Sequence, residues 1–190
     1  MASVVEICNR ALDKLGEAPI VSLADDIKAS RACARAYAPV RDAVLRDHPW
    51  NCAIHRTALA AEAEAPAWGY ARRFPLPVDC LRVLEVEGEA AGPGAGWIVE
   101  GRAVLTDIGA PLRVRYLRRL TDATLFDPLL AEALAARLAV ELCEALTQSN
   151  TKRQMLLEDY AEIVARARSA DGQEGTPPAL AESPWVLARR

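Results

Sequence analysis

One cluster of metal-capable side chains stands out in the sequence, formed by His48, Cys52 and His55. Their separations of four and three residues suit a zinc site. However, residues 52–59 have the alternating pattern of a strand, which would point Cys52 and His55 to opposite faces. His48 lies across a predicted helix end, and a closed zinc site also needs a fourth ligand. We therefore expect no metal site, and expect His48 to be a capping or solvated histidine beside a buried Cys52.

Nucleophilic and acid–base chemistry are also disfavoured by the sequence. The five cysteines are widely spaced, odd in number and without a C-x-x-C pair, so we expect reduced, apolar thiols rather than activated ones. The adjacent carboxylates lie at predicted helix starts or on exposed helix faces, where solvation or the helix dipole explains them. We expect no catalytic residue and no cofactor. The residues concerned are Cys8, Cys33, Cys52, Cys80 and Cys143, and the pairs Asp25–Asp26 and Glu158–Asp159.

The densest basic patch consists of four arginines near the end of the β-rich region. Arg113 and Arg115 alternate with apolar residues, which is typical of a solvated strand face, and no aromatic residue is interleaved with them to stack on bases. The formal charge of the chain is −3, whereas binding to phosphates needs clustered positive charge. Direct DNA binding is therefore disfavoured. The four are Arg113, Arg115, Arg118 and Arg119.

The composition predicts one domain with a core of closely packed helices. The 190 residues are 52% hydrophobic but only 5% aromatic, because alanine supplies much of the apolar content. Faces made of small residues often pack against neighbouring chains. No basic segment followed by an apolar run, and no apolar stretch of about 18 residues, is present, so we expect a soluble protein that is made inside a cell.

Two helices are predicted at the N-terminus. A capping box at Ser3 opens the first, and Gly16 ends it. The second is expected to run from a cap at Ser22 or Asp25 to about Asp47.

The sequence His48-Pro49-Trp50-Asn51 predicts how the second helix ends. Pro39 lies inside that helix and should bend it. Pro49 disfavours helical geometry at His48, so the chain should leave the helix there. Trp50 is then free to pack beneath the helix end.

Residues 52–119 change to a strand pattern that is interrupted by proline and glycine. We predict a small antiparallel sheet of four to six strands. The candidate strands are residues 52–59, 70–74, 81–86, 97–99, 103–105 and 112–117.

Two further helices are predicted after the strands. Asp127 and Pro128 place an N-cap and a first-turn proline before a helix that runs to about Gln148. Its leucine and alanine content predicts burial on more than one side. A capping box at Thr151 opens the last helix, which is expected to end near residues 171–172.

The predicted fold class is α+β, mainly α. An antiparallel helical bundle comprises residues 1–51 and 120–171, a β-rich subdomain of residues 52–119 is inserted in it, and residues 172–190 form an extended C-terminal arm. Small residues on the helices are candidates for packing between subunits, namely Ala32, Ala36, Ala131, Ala135 and Ala139.

The C-terminal arm has two interpretations. Residues 172–190 are rich in proline and glycine, yet they end in an apolar and basic cluster. The arm either orders on a partner with Trp185 as its anchor or folds back onto its own domain. The partner is favoured because the proline-rich spacer provides reach. The candidate binding residues are Trp185, Val186, Leu187, Arg189 and Arg190.

The order of these features resembles the tail tubular protein A and tail accessory factor family of short-tailed bacteriophages, the head-to-tail adaptors. The resemblance is carried by residues 11–23, by residues 37–51 with the His48-Pro49-Trp50-Asn51 sequence, by residues 76–83, and by residues 126–149 with Phe126-Asp127-Pro128.

The resemblance implies a structural protein of the virion rather than an enzyme. It implies a homo-oligomeric ring, usually of twelve copies, that docks under the portal protein, accepts the tail nozzle protein below and lets DNA pass through its centre as cargo. By analogy the arm would reach toward the portal. Two other functions remain alternatives, a virion-associated cell-wall hydrolase and a DNA-binding packaging factor.

Overall fold

The chain is an α+β protein in a computed structural model that describes residues 2–174. Two helices precede the strands and two follow them, which confirms the predicted class at this level. The helices are α1 (Val4–Leu15), α2 (Lys28–Asp47), α3 (Pro128–Thr147) and α4 (Asn150–Glu174). The strands are β1 (Ile54–Leu59), β2 (Arg72–Pro75), β3 (Cys80–Val86), β4 (Glu89–Ala90), β5 (Trp97–Glu100), β6 (Ala103–Thr106) and β7 (Leu112–Arg118).

Helix α1 begins and ends where its capping residues predict. The Ser3 hydroxyl accepts a hydrogen bond from the Glu6 backbone N–H at 3.1 Å. Gly16 adopts a φ of +76° at the other end, and its N–H donates to the Asp13 carbonyl. Glycine enters this left-handed region without the steric cost of a Cβ.

Helix α2 begins later than predicted, because Ser22 and Asp25 close a turn instead of capping it. The Asp25 carboxylate accepts the backbone N–H groups of Val21 and Ser22, at 3.2 and 2.9 Å. The helix itself starts at Lys28, and the residue before it supplies no side-chain cap. The local polar signals thus mark a turn that leads into the helix, and Pro39 lies inside the helix as expected.

The strands form two antiparallel sheets rather than the one predicted. The first has the order β1-β7-β3-β4, and the second has the order β2-β6-β5. Apolar side chains from both sheets form one shared cluster, in which Phe74 and Leu112 are fully buried. The sequence pattern identifies strands but not their partners, since pairing depends on residues far apart in the chain.

The main core surrounds α3, which contacts α1, α2 and α4. The Asp127 carboxylate caps α3 by accepting the N–H groups of Leu129 and Leu130, at 2.8 and 3.3 Å. The first four leucines of the stripe and the alanines beside them are buried, whereas Leu146 is partly buried and Ala145 is exposed near the end of the helix. The prediction that this helix is buried on more than one side is confirmed.

Helix α4 is longer than predicted at both ends. It begins at Asn150, and the Ser149 hydroxyl accepts from the Lys152 N–H at 3.3 Å, so Thr151 does not cap it. The helix continues through Gly172 to Glu174. The predicted arm from residue 172 is therefore helical in its first three residues. The candidate binding residues Trp185, Val186, Leu187, Arg189 and Arg190 lie outside the described part of the chain.

Candidate interaction surfaces

The end of α2 is fixed by the tryptophan that follows it. His48 has extended backbone geometry, so the helix stops at Asp47 as Pro49 requires. Trp50 is 1% exposed, and its indole N–H donates to the Val44 carbonyl at 2.9 Å. That carbonyl lies in the last turn of the helix, where partners within the helix run out. The predicted packing of Trp50 beneath the helix end is confirmed.

A second set of contacts joins this turn to the end of α4. Asp171 Oδ2 lies 3.0 Å from His48 Nε2, and Asp171 Oδ1 accepts the Asn51 backbone N–H at 2.9 Å. The Asn51 side-chain amide donates to the Asp171 backbone carbonyl at 2.6 Å. We name His48, Asn51 and Asp171 the Asp171 clasp. The Asp171 side chain is buried, whereas Asn51 is exposed, so the contacts are partly shielded from water. Together they hold the last turn of α4 against the end of α2.

The sequence does not predict the Asp171 clasp. Asp171-Gly172 is typical of a helix end, and His48 was expected to be a solvated or capping histidine. Arg168 adds an ion pair with Asp47, one turn before the clasp. The chain therefore leaves the described region, after Glu174, from a point held by several contacts to the α2 end.

The three metal-capable residues do not converge. Cys52 lies in a single turn of 3-10 helix (Asn51–Ala53) and not in the predicted strand, which begins at Ile54. His48 contacts Asp171, whereas His55 stacks edge-on against Tyr116 with ring centroids 5.6 Å apart. Within residues 2–174 no group of three or more potential ligands could hold a metal ion.

The surroundings of Cys8, Cys52 and Cys80 raise the pKa of these thiols and favour their protonated form. Burial raises the pKa of Cys52 and of Cys80. Cys8 and Cys33 are fully buried side by side, and the pKa of Cys8 is raised by its hydrogen bond with Cys33 and by burial. A raised pKa lowers the fraction of thiolate, which is the reactive form.

Three of the four arginines in the basic patch pair with carboxylates. Arg113 lies 2.6 Å from Glu87, Arg115 lies 2.6 Å from Glu85, and Arg119 lies 2.7 Å from Asp42. The shallow groove beside β7, of about 540 Å³, is consequently lined by both signs of charge. These pairs neutralise the surface that would otherwise attract a phosphate chain.

The five candidate packing alanines differ in how accessible they are. Those on α3 are at most 1% exposed and contact other helices of the same chain, and Ala32 is 4% exposed. Ala36 is half-buried and lies in a groove of about 450 Å³ between α2 and α3, which we name the α2–α3 groove. A neighbouring subunit could therefore contact Ala36, whereas charge placed at the α3 alanines would disturb this chain's own core. The α3 residues are Ala131, Ala135 and Ala139.

Comparison with known proteins finds no family model and no curated protein that matches the chain. Within the described region, none of the four helices is long and apolar enough to cross a membrane.

Proposed function

We propose that the chain is a structural head-to-tail adaptor (connector) of a bacteriophage virion. In this proposal its helices form an antiparallel bundle around the inserted strands, and residues 175–190 form an extended arm. Copies of the chain assemble into a ring, usually of twelve, between the portal protein and the tail nozzle protein. DNA passes through the ring as cargo. The protein is made in the host cytoplasm, resides in the neck of the virion and has no catalytic role.

The Asp171 clasp is the observation that best supports this proposal. It joins the His48-Pro49-Trp50-Asn51 sequence, which carries part of the resemblance, to the helix from which the arm continues. An adaptor needs its docking segment to start from a fixed point, because a well-placed anchor loses less conformational freedom on binding. The clasp supplies a contact network of this kind at the root of the arm.

The arm itself has the composition of a docking peptide. Trp185, Val186 and Leu187 provide an apolar anchor, and Arg189 and Arg190 provide charge at its end. Tryptophan and arginine are enriched among the residues that dominate binding energies at interfaces. We assign these five residues to the portal contact.

Surface charge agrees with a channel that DNA crosses without being held. The chain is mildly acidic, and the arginines of the basic patch largely meet carboxylates of the same chain. Strong binding to the phosphate backbone would require unpaired positive charge. Such a surface would bind passing DNA only weakly.

The test is the mass of the complex formed with the cognate portal, measured by light scattering. Full-length protein should join the portal as a multi-subunit ring, whereas a version that ends at Glu174 should not. Ending at Glu174 keeps the Asp171 clasp and α4 complete, so the truncation removes only the arm. Trp185→Ala should weaken portal binding more than Pro184→Ala, its control. A full-length chain that never binds the portal would reject the adaptor function.

A further inference from the structure

The β-rich region has a projecting tryptophan on one side and an open groove on the other. Residues 60–71, which join β1 to β2, are named the Trp68 loop. Trp68 is 86% exposed, although tryptophan is usually covered in folded proteins. Gly69 follows with a φ of +91°, a conformation that lets the chain turn directly after the ring. The indole is therefore presented to the surroundings.

The groove lies between β3 and β5 and is named the β3–β5 groove. Its volume is about 450 Å³, within the range of roughly 300–1,000 Å³ that is typical of ligand pockets. Its apolar wall includes Leu81, Val83 and Trp97. Strand β5 is an edge strand of its sheet, and its Ile98 and Val99 are 37% and 45% exposed. The groove thus offers uncovered apolar surface beside an unpaired strand edge.

Three arginines surround this groove, and none of them pairs with a carboxylate in the described structure. Arg46 and Arg102 donate only to backbone carbonyls, those of Leu81 and Pro77, and Arg82 lies beside them. This contrasts with the basic patch at residues 113–119, where three of the four arginines pair with carboxylates. The β3–β5 groove is therefore positively charged as well as apolar.

Charge on the Trp68 loop is opposite to that of the groove. Residues 60–71 contain Glu62 and Glu64 and no basic residue. Glu62 pairs with Arg73, but Glu64 is exposed and meets no cation among the residues described. An acidic loop with an aromatic anchor complements a groove rimmed by guanidinium groups, which also attract the face of an indole.

One residue that lines the groove has a buried polar atom without a partner among the residues described. Trp97 is 5% exposed, and its indole nitrogen has no hydrogen-bond acceptor within residues 2–174. Buried N–H groups are nearly always paired, and each exception calls for an explanation. The nitrogen is covered in the single chain, so its lack of an acceptor belongs to the wall of the groove and not to the open surface.

Loop and groove lie on opposite sides of the β-rich region. Strands β1 and β2 are edge strands on one side, linked by the hydrogen bond from the Glu62 N–H to the Arg73 carbonyl. Strands β4 and β5 are edge strands on the other side, where the Gly96 N–H donates to Glu89. A contact between loop and groove must therefore join different copies. Such a head-to-tail contact repeats around a ring and cannot close as a two-fold dimer.

We propose that the Trp68 loop of one copy inserts into the β3–β5 groove of the next and forms the lateral contact of the ring. This assignment rests on the proposed adaptor function for its biological setting, while the contact itself is defined by the chain alone. Trp68 fills the apolar part of the groove, and Glu64 approaches Arg82 and Arg102. The interface is weak in isolation, because each contact orders a loop, and it strengthens when a portal aligns the neighbours.

Sedimentation velocity of the full-length chain over a concentration series tests the contact. The wild type should self-associate with rising concentration, and Trp68→Ala should weaken this by more than about tenfold, as expected for an anchoring tryptophan. Arg82→Glu combined with Arg102→Glu should do the same from the groove side. Val21→Ala is the control, since Val21 is 89% exposed on the loop before α2 and should have no effect. Circular dichroism confirms that each variant is folded.

Mixing the two kinds of variant gives the sharpest readout. The Trp68→Ala chain keeps its groove and the double arginine variant keeps its loop, so one complementary contact can form between them. Two-chain species, and nothing larger, should appear only in the mixture. The proposal is overturned if the wild type stays monomeric at every concentration or if Trp68→Ala associates like the wild type. It is also overturned if no two-chain species forms in the mixture. Oligonucleotide binding to the wild type would overturn the proposal as well, if the double arginine variant loses that binding and Trp68→Ala leaves self-association unchanged.

The portal experiment separates this proposal from the adaptor function. If the chain self-associates through Trp68 but never joins a portal, the adaptor function is rejected and the proposed contact stands. If as many copies of Trp68→Ala as of the wild type bind the portal, the proposed contact is rejected and the adaptor function stands.

Discussion

His48 and Asp171 contact each other across 123 residues of the chain, with His48 Nε2 at 3.0 Å from Asp171 Oδ2. The same carboxylate accepts the backbone N–H of Asn51 through its other oxygen. The C-terminal ends of α2 and α4 therefore meet at one buried acidic residue. Because a buried carboxylate needs hydrogen-bond partners, the contributions of Asp171, His48 and Asn51 to stability depend on one another.

Asp171→Ala should lower the free energy of unfolding by about 1–3 kcal/mol, because the Asn51 N–H and the His48 ring lose the partner that the buried Asp171 carboxylate supplies. Urea denaturation followed by circular dichroism measures the change. Glu174→Ala is the matched control, since Glu174 is exposed in the last turn of the same helix. Equal stability of Asp171→Ala and the wild type would show that the clasp contributes nothing to folding.

Trp50→Phe should also destabilise the fold, by about 1–3 kcal/mol, because it leaves a cavity and removes the donor to the Val44 carbonyl. Trp68→Phe is the control with the same chemical change at an exposed position, and it should alter the free energy of unfolding by less than about 0.5 kcal/mol. Chemical denaturation of both variants gives the comparison. Similar losses in the two variants would contradict the role assigned to Trp50.

Much of the helical architecture could be predicted because its signals are local. Ser3, Gly16 and Asp127 act on backbone groups within four residues, so the sequence alone locates the helix ends that they fix. Asp25 shows the limit of such signals, since the same side chain can close a turn instead of capping a helix. A local polar side chain therefore indicates a turn or a helix cap, but it does not distinguish between the two.

The unpredicted features depend on contacts between distant segments. The strands were recognised, but their division into two sheets follows from which strands pair, and their periodicity carries no such information. The Asp171 clasp and the β3–β5 groove likewise bring together residues that no spacing rule connects. The α3 alanines were expected at a subunit surface, yet they fill this chain's own core, because small residues favour close helix packing within a chain as well as between chains.

Gly16→Ala should destabilise the protein by about 1 kcal/mol, because alanine resists the left-handed conformation at φ +76° that ends α1. An added Cβ has room, since the nearest atom is Lys152 Nζ at 3.6 Å, so the cost is conformational rather than steric crowding. Gly92→Ala is the control, because Gly92 is exposed and lacks a positive φ. Thermal unfolding of both variants measures the difference. A loss confined to Gly92→Ala would contradict this explanation.

Tyr37 makes the stability of the chain sensitive to alkaline pH. Burial, the largest cause, raises the pKa of Tyr37 to about 12, while an unfolded tyrosine titrates near 10. Between these values the folded state keeps a proton that the unfolded state releases, so stability falls as pH rises. The contribution is complete below pH of about 10, and it declines by up to about 2–3 kcal/mol as the pH approaches 12.

Tyr37→Phe should remove this part of the alkaline loss. The Tyr37 hydroxyl is buried and has no hydrogen-bond partner in the described part of the chain, so phenylalanine should leave stability at neutral pH unchanged or slightly higher. Tyr116 gives the contrast, because its hydroxyl donates to Asp79 at 3.2 Å, and its pKa is raised to about 12 by burial and by Asp79. Tyr116→Phe should therefore reduce the alkaline loss but cost stability at neutral pH. Urea unfolding across the alkaline range tests both variants, and an unchanged pH slope in Tyr37→Phe would show that Tyr37 does not titrate differently in the two states.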